Sequence, residues 1–374
     1  MGKIGIITYH AAYNYGSVLQ AYALFSKLRS LGKDIQIINY RPYSQKRYYC
    51  LYRTRCGIKP FIKDILQVGN HFDRRRRAKR FEEFIRDYFE LTKEYNSISD
   101  FEKGISDFDQ IISGSDQVWN KRSWELRFVD WKYMSPYLLK GFPGVKISYA
   151  SSVGSMTDEE VERILPDIRR FSHVSFREKT VSERYYKLSG YSADVVVDPT
   201  FLLDHTDWIK EFNIKKYEGK DIVLYYSLAG YKENYRRKKY LSEFAKKRGC
   251  ELWSITPECS HVFSGDEGAE KRDFGPIEFL NALYTAKYVI TDSYHGTILS
   301  VNFQKPFYSI CGSGGSEYRK TDVLDRIGLE NRVIKSCEEL PEKNDEAIDY
   351  ELVNKRVEIM KADSVDYLKN AVGE

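Results

Sequence analysis

The chain has 374 residues, of which 42% are apolar and 30% charged, and a formal net charge of +5. This is the balance of a folded two-domain protein and excludes a disordered chain. No apolar run approaches the ~20 residues that cross a bilayer, and the stretch 4–9 is too short for a signal-peptide core, so a cytoplasmic location is expected.

A short apolar, β-branched strand is expected over 4–8 and another over 35–39. Between them Val18, Leu19, Tyr22, Phe25, Leu28 and Leu31 recur at intervals of three and four, with Ser17 placed to cap the helix and Gly32 to end it. That is a βαβ unit and implies a parallel sheet. The excess of positive charge follows, between Arg41 and Arg86, where Arg74, Arg75, Arg76 and Arg77 precede Lys79 and Arg80. Phe81, Phe84, Ile85 and Tyr88 continue at helical spacing, so the run predicts an amphipathic helix with a solvated basic face. A sharper reading is peripheral contact with anionic headgroups, which suits work on a lipid-linked saccharide. No nucleic-acid module accompanies the charge.

Strands near 110–113, 146–150, 174–176 and 195–197 complete an N-terminal lobe of residues 1–200, with the basic helical insertion at about 43–100. Asp198-Pro199 breaks the pattern. A second α/β series begins at 222–227 and runs through a basic helix (235–248), a strand (251–256), a helix after Pro276, a strand (288–291), a helix after His295 and a strand (307–310). It forms a C-terminal lobe, 201–374, whose last helix, about 352–368, is placed to pack back on the first lobe. The expected fold is α/β, with two doubly wound, Rossmann-like lobes facing a cleft.

Ligands of open α/β sheets bind beyond the carboxyl ends of strands, and two such junctions stand out. In the first, Tyr9-His10-Ala11-Ala12-Tyr13-Asn14-Tyr15-Gly16-Ser17, a polar, aromatic loop runs into a helix start; Asn14, Tyr15, Gly16 and Ser17 are cleft candidates, against an equal reading as a capped turn. The second, Thr291-Asp292-Ser293-Tyr294-His295-Gly296-Thr297, sets a histidine at a helix start, where amides hold an anion and an imidazole exchanges a proton. Ser293, Tyr294, Gly296 and Thr297 belong to that junction. Arg177 ends another strand and is read either as a carboxylate or phosphate ligand or as half of an ion pair. After the third strand, beside Ser115, Asp116 can accept a proton from a sugar hydroxyl while Trp119 or Gln117 contacts the ring, or Asp116 can simply cap the loop. The glycine- and serine-rich segment 312–316 leads to Arg319 and Lys320, suited to phosphate and equally to a plain connection. The six cysteines (Cys50, Cys56, Cys250, Cys259, Cys311, Cys337) form no C-x-x-C pair and no zinc-like spacing, so reduced thiols and no metal site are expected.

Five ordered blocks resemble the polysaccharide pyruvyl transferase family. They are Gly5 to Tyr9 with Asn14 to Tyr22, then Ile111 to Asn120, Ser148 to Gly154, Ser175 to Lys179, and Thr291 to Thr297. The resemblance implies an architecture like that of the two-lobed GT-B glycosyltransferases, phosphoenolpyruvate as donor, a saccharide hydroxyl as acceptor and no cofactor. It also implies that His295 and Arg177 belong to the donor site. Many members carry arginine before the histidine-glycine pair, where this chain has Tyr294; either Arg319 or Lys320 supplies the cation, or donor binding is weaker than in those members. The chemistry requires a general acid for C3 of the donor, for which His295 is the choice, while Asp116 activates the sugar hydroxyl. Two other classes stay open: a glycosyltransferase using a nucleotide sugar, and a catalytically silent saccharide-binding protein.

Overall fold

The computed structural model describes residues 2–49, 70–256, 262–263, 268–312, 318–342 and 346–373. The chain divides into two compact units: unit 1 holds 1–50, 82–202 and 357–374, and unit 2 holds 51–81 and 203–356.

Unit 1 is built on a six-stranded, wholly parallel sheet of order β2-β1-β3-β4-β5-β6. Its strands are β1 (Ile4–Ile7), β2 (Ile35–Ile37), β3 (Gln110–Asp116), β4 (Val145–Ser151), β5 (Ser175–Phe176) and β6 (Asp194–Val195). Near-continuous apolar strands such as β1 are what a sheet covered on both faces requires. The helix Tyr15–Ser30 is buried on most of its surface. Its cap differs from expectation: Asn14, not Ser17, is the N-cap, and Asn14 Oδ1 accepts from the Gly16 and Ser17 amides at 2.9 and 3.3 Å. Ser17 lies inside the first turn, and its hydroxyl is used elsewhere. The last segment of the chain belongs to this unit: Ser364 Oγ accepts from the Val197 amide at 2.9 Å, and the Tyr367 hydroxyl donates to the Ser148 carbonyl at 2.7 Å.

Unit 2 repeats the plan with strand order β12-β11-β10-β7-β8-β9, again all parallel. Its strands are β7 (Ile222–Tyr226), β8 (Glu251–Ile255), β9 (Ala269–Glu270), β10 (Tyr288–Thr291), β11 (Phe307–Ile310) and β12 (Val333–Ile334). Val223, Tyr225, Leu241, Phe244, Ile290 and Ile310 pack together in its core. The two-residue edge strands β9 and β12 carry no periodicity and were not expected from the sequence.

The basic insertion is a correction. The helix His71–Tyr88 forms, but its first part, through Phe81, belongs to unit 2 and not to the N-terminal lobe. Its charge is also partly neutralised there: Arg76 and Arg80 each lie 3.0 Å from Asp273, and Arg80 lies 3.1 Å from Glu278. Arg75, Arg76 and Lys79 nevertheless remain exposed, so the solvated basic face that the sequence implied persists with part of its charge paired.

Candidate functional site

In each sheet the chain progresses outward in both directions from one point, between β1 and β3 in unit 1 and between β7 and β10 in unit 2. Loops on either side of such a point leave in opposite directions and open a crevice beyond the carboxyl ends of the strands. Each point is bridged by one serine–aspartate hydrogen bond. In unit 1 the Ser17 hydroxyl donates to Asp116 Oδ2 at 2.7 Å, and in unit 2 the Ser227 hydroxyl donates to Asp292 Oδ2 at 2.7 Å.

The unit 2 junction centres on the helix Tyr294–Asn302. Ser293 is its N-cap, with Oγ accepting from the Gly296 amide at 3.3 Å. His295 follows in the first turn, 8% exposed, with the Tyr294 ring edge-on at 5.3 Å. Gly296 is required by close packing: a Cβ there would overlap Thr291 Oγ1 and come within 2.8 Å of the Tyr226 ring. Asp292, one turn before His295, is held from several sides. Its Oδ1 accepts from the Leu228 amide at 2.7 Å, and Arg237 forms an ion pair with Oδ2. Burial lowers the Arg237 pKa, but Tyr225 and Asp292 outweigh it and leave the guanidinium more firmly charged than usual. The Lys320 ammonium is buried and donates to the carbonyls of Asp292 and Ile310 at 2.9 and 2.6 Å, tying the ends of β10 and β11 together.

Several expected ligands have structural duties here. Thr297 is fully buried, its hydroxyl 3.0 Å from the Ser293 carbonyl and 2.8 Å from Ser309 Oγ. Arg319 lies with its guanidinium 5.9 Å from the Tyr294 ring centre. Of the glycine- and serine-rich segment before it, residues 313–317 lie outside the described residues.

In unit 1, Asp116 is 7% exposed and sits at φ 73°, a left-handed conformation that costs a non-glycine residue on the order of 1 kcal/mol. Its second oxygen accepts from the Gln117 amide at 2.8 Å. Tyr15 and Ser115 are buried, and Ser115 Oγ donates to the Ala150 carbonyl at 3.0 Å. Gln117 Oε1 accepts from Asn120 at 2.6 Å. Trp119 corrects the expectation that it touches a sugar ring. Its side chain is wholly buried against Phe171 and Phe176, with Nε1 donating to the Tyr137 carbonyl at 3.0 Å.

Arg177 is the second correction. Its guanidinium donates to Asp198 Oδ2 at 2.7 Å and to Glu178 Oε1 at 3.2 Å, and all three side chains are at most 1% exposed. Asp198 also accepts from the Thr200 amide and hydroxyl at 3.0 and 2.8 Å, and Glu178 from Ser152 at 3.1 Å. A cation enclosed in this way organises the ends of β4, β5 and β6. It is not open to a donor.

Sequence reading missed Arg237, which belongs to an evenly basic helix, and Glu125, which lies in a loop without periodicity. The Glu125 carboxyl accepts from the Tyr49 hydroxyl at 2.7 Å. Burial, reinforced by the nearby Asp116 charge, pushes its pKa up to about 7. Among the described residues there is no cluster of three metal-ligating side chains, and no helix is long and apolar enough to cross a membrane.

The sequence profile of the family described as polysaccharide pyruvyl transferase matches residues 14–310, from the Asn14 cap through β11. The chain belongs to that family. No curated protein sequence matches it significantly. Among solved structures, a putative UDP-N-acetylglucosamine 2-epimerase from Listeria monocytogenes superposes with a TM-score of 0.53 at 10% identity, over 99% of this chain and 92% of that one. The UDP-GlcNAc 2-epimerase of Methanocaldococcus jannaschii, in complex with UDP-GlcNAc and UDP, gives 0.51 at 13% identity, over 96% and 92%. At such identities the likeness is one of fold alone: the family member shares the two-sheet scaffold of these epimerases.

Proposed function

We propose that this family member transfers the pyruvyl group of phosphoenolpyruvate to two hydroxyls of a saccharide, forming a cyclic pyruvate ketal in cell-surface glycan synthesis. The observation that carries the reading is His295, at a capped helix start beside the β7/β10 strand-order reversal, within the matched family region. The first-turn amides and helix dipole suit the donor's phosphate. His295 donates a proton to C3 of phosphoenolpyruvate, and positive charge develops at C2. One sugar hydroxyl attacks C2, the C2–oxygen bond to phosphate breaks, and a second hydroxyl closes the ring. The hydroxyls release two protons, of which one restores His295 and the other leaves with phosphate. Asp116, its two oxygens oriented by Ser17 and Gln117, is the candidate to receive a hydroxyl proton. The buried Arg177 acts by positioning, not by direct contact.

A second reading is favoured by the fold likeness to an epimerase structure that holds UDP-GlcNAc and UDP: a transferase using a nucleotide sugar. Thermal-shift titration separates the two. Phosphoenolpyruvate raises the melting temperature on the first reading, whereas stabilisation by UDP-sugars alone would establish the second.

A further inference from the structure

Beyond the β1/β3 reversal of unit 1 the surface changes character. Large aromatic residues that would ordinarily be buried stand exposed on two neighbouring segments: Tyr43 at 73%, Trp124 at 57% and Phe128 at 79%. They are not loose. The Arg127 guanidinium stacks 3.2 Å from the Trp124 ring centre and 4.4 Å from that of Phe128, fixing both. Tyr48 lies 6.4 Å from Trp124 at a shallow 34° tilt, and its neighbour Tyr49 reaches the Glu125 carboxyl. Tyr49 also lines a cavity of about 260 Å³ whose other walls include Tyr13, Arg41, Gln45, Lys46 and Glu94. Tyr13 and Tyr49 face each other across 5.5 Å. Exposed aromatic rings, a half-buried carboxyl beside them and the hollow that Tyr49 also lines, ringed with hydrogen-bonding groups, are linked through Tyr49.

We infer that the Trp124–Phe128 loop and the helix Tyr43–Tyr49 form the acceptor subsite, which takes a pyranose ring against Trp124 with its hydroxyls turned to Glu125 and Tyr49. A pyranose has apolar C–H faces and a polar rim, and this surface offers both partners in matching order: rings for the face, and the carboxyl and phenol for the edge. The adjoining cavity is of a size to admit one further sugar unit. The Glu125 carboxyl, raised to about 7, is present in both protonation states near neutrality, so it can donate to or accept from a hydroxyl. The titratable and polar groups around it are Asp116, Tyr49, Ser123, Tyr9, Tyr137 and Arg127. The inference rests on the proposed pyruvyl transfer for its choice of a saccharide.

Saturation-transfer NMR on the full chain tests it, with methyl glycosides of glucose, galactose, mannose and their N-acetylamino counterparts at millimolar concentration as probes. Calorimetry with phosphoenolpyruvate is run on the same preparations. At least one glycoside is expected to bind wild type, with Trp124→Ala and Phe128→Ala weakening it roughly tenfold and Glu125→Gln weakening it less, while the phosphoenolpyruvate isotherm stays unchanged. Both aromatic side chains are largely exposed, so these variants fold. Glycoside binding unaltered in both aromatic variants, or no glycoside binding to wild type, overturns the subsite. Loss of glycoside in Trp124→Ala together with no phosphoenolpyruvate binding by any protein would keep the subsite and sink the pyruvyl donor instead.

Discussion

Replacing Arg177 by methionine should damage the fold of unit 1 and leave donor affinity intact. The guanidinium neutralises two carboxylates, Asp198 at 2.7 Å and Glu178 at 3.2 Å, in a site where all three side chains are at most 1% exposed. Methionine fills much of the volume but leaves two buried charges facing each other. Removing one partner of a buried ion pair costs about 3–5 kcal/mol, because the desolvation of the remaining charge is no longer offset. For a unit of this size that corresponds to a fall of roughly 6–20 °C in melting temperature. Removing all three charges together, with Arg177→Met, Glu178→Gln and Asp198→Asn, should restore much of the loss, since neutral replacements leave no charge uncompensated. Scanning calorimetry measures both variants, and isothermal titration with phosphoenolpyruvate is the companion assay. A methionine variant that melts within ~2 °C of wild type but binds the donor weakly would refute the structural role and return Arg177 to the donor site.

His295→Gln keeps a hydrogen-bond donor of similar reach but cannot act as an acid, so phosphoenolpyruvate binding should survive while turnover falls by about 10²–10⁴-fold; near-normal turnover at saturating donor would assign the proton to another group. Gly296→Ala should lower stability by about 1–3 kcal/mol, because its methyl would crowd Thr291 and the Tyr226 ring; an unchanged melting temperature would show that the junction has slack. His10 is buried, and burial, opposed by its hydrogen bond to Asn39, lowers its pKa from 6.5 to about 4. The unfolded chain therefore takes up this proton before the folded one, so its contribution is complete above pH 6.5 and is lost as pH falls towards 4. His10→Gln should flatten that part of a urea-midpoint profile, and parallel wild-type and variant profiles would contradict it.

The scaffold was legible because its signals are local. Apolar β-branched runs at β1 and β10, the aromatic run at β11 and the Thr291-to-Thr297 passage from strand to helix are each read within a dozen residues. What stayed hidden depends on partners distant in sequence. Arg177 finds Asp198 21 residues on, and Arg237 meets Asp292 across 55, so neither pairing leaves a mark on its neighbourhood. Trp119 and Trp124 stand in the same loop region and look equivalent in sequence. Only the fold turns the first towards Phe171 and Phe176 and leaves the second in solvent. The edge strands β9 and β12, two residues each, are set by their neighbours' hydrogen bonds and not by composition.

The most direct test is the product itself. The chain is incubated with phosphoenolpyruvate and the glycoside panel in deuterated water, and the sugars are analysed by mass spectrometry and NMR. The account predicts glycoside-dependent phosphate release and a pyruvate ketal whose methyl group carries deuterium at C3, both strongly diminished in His295→Gln. Glycoside lengthened by a sugar from a UDP-sugar, with phosphoenolpyruvate left intact, would contradict it.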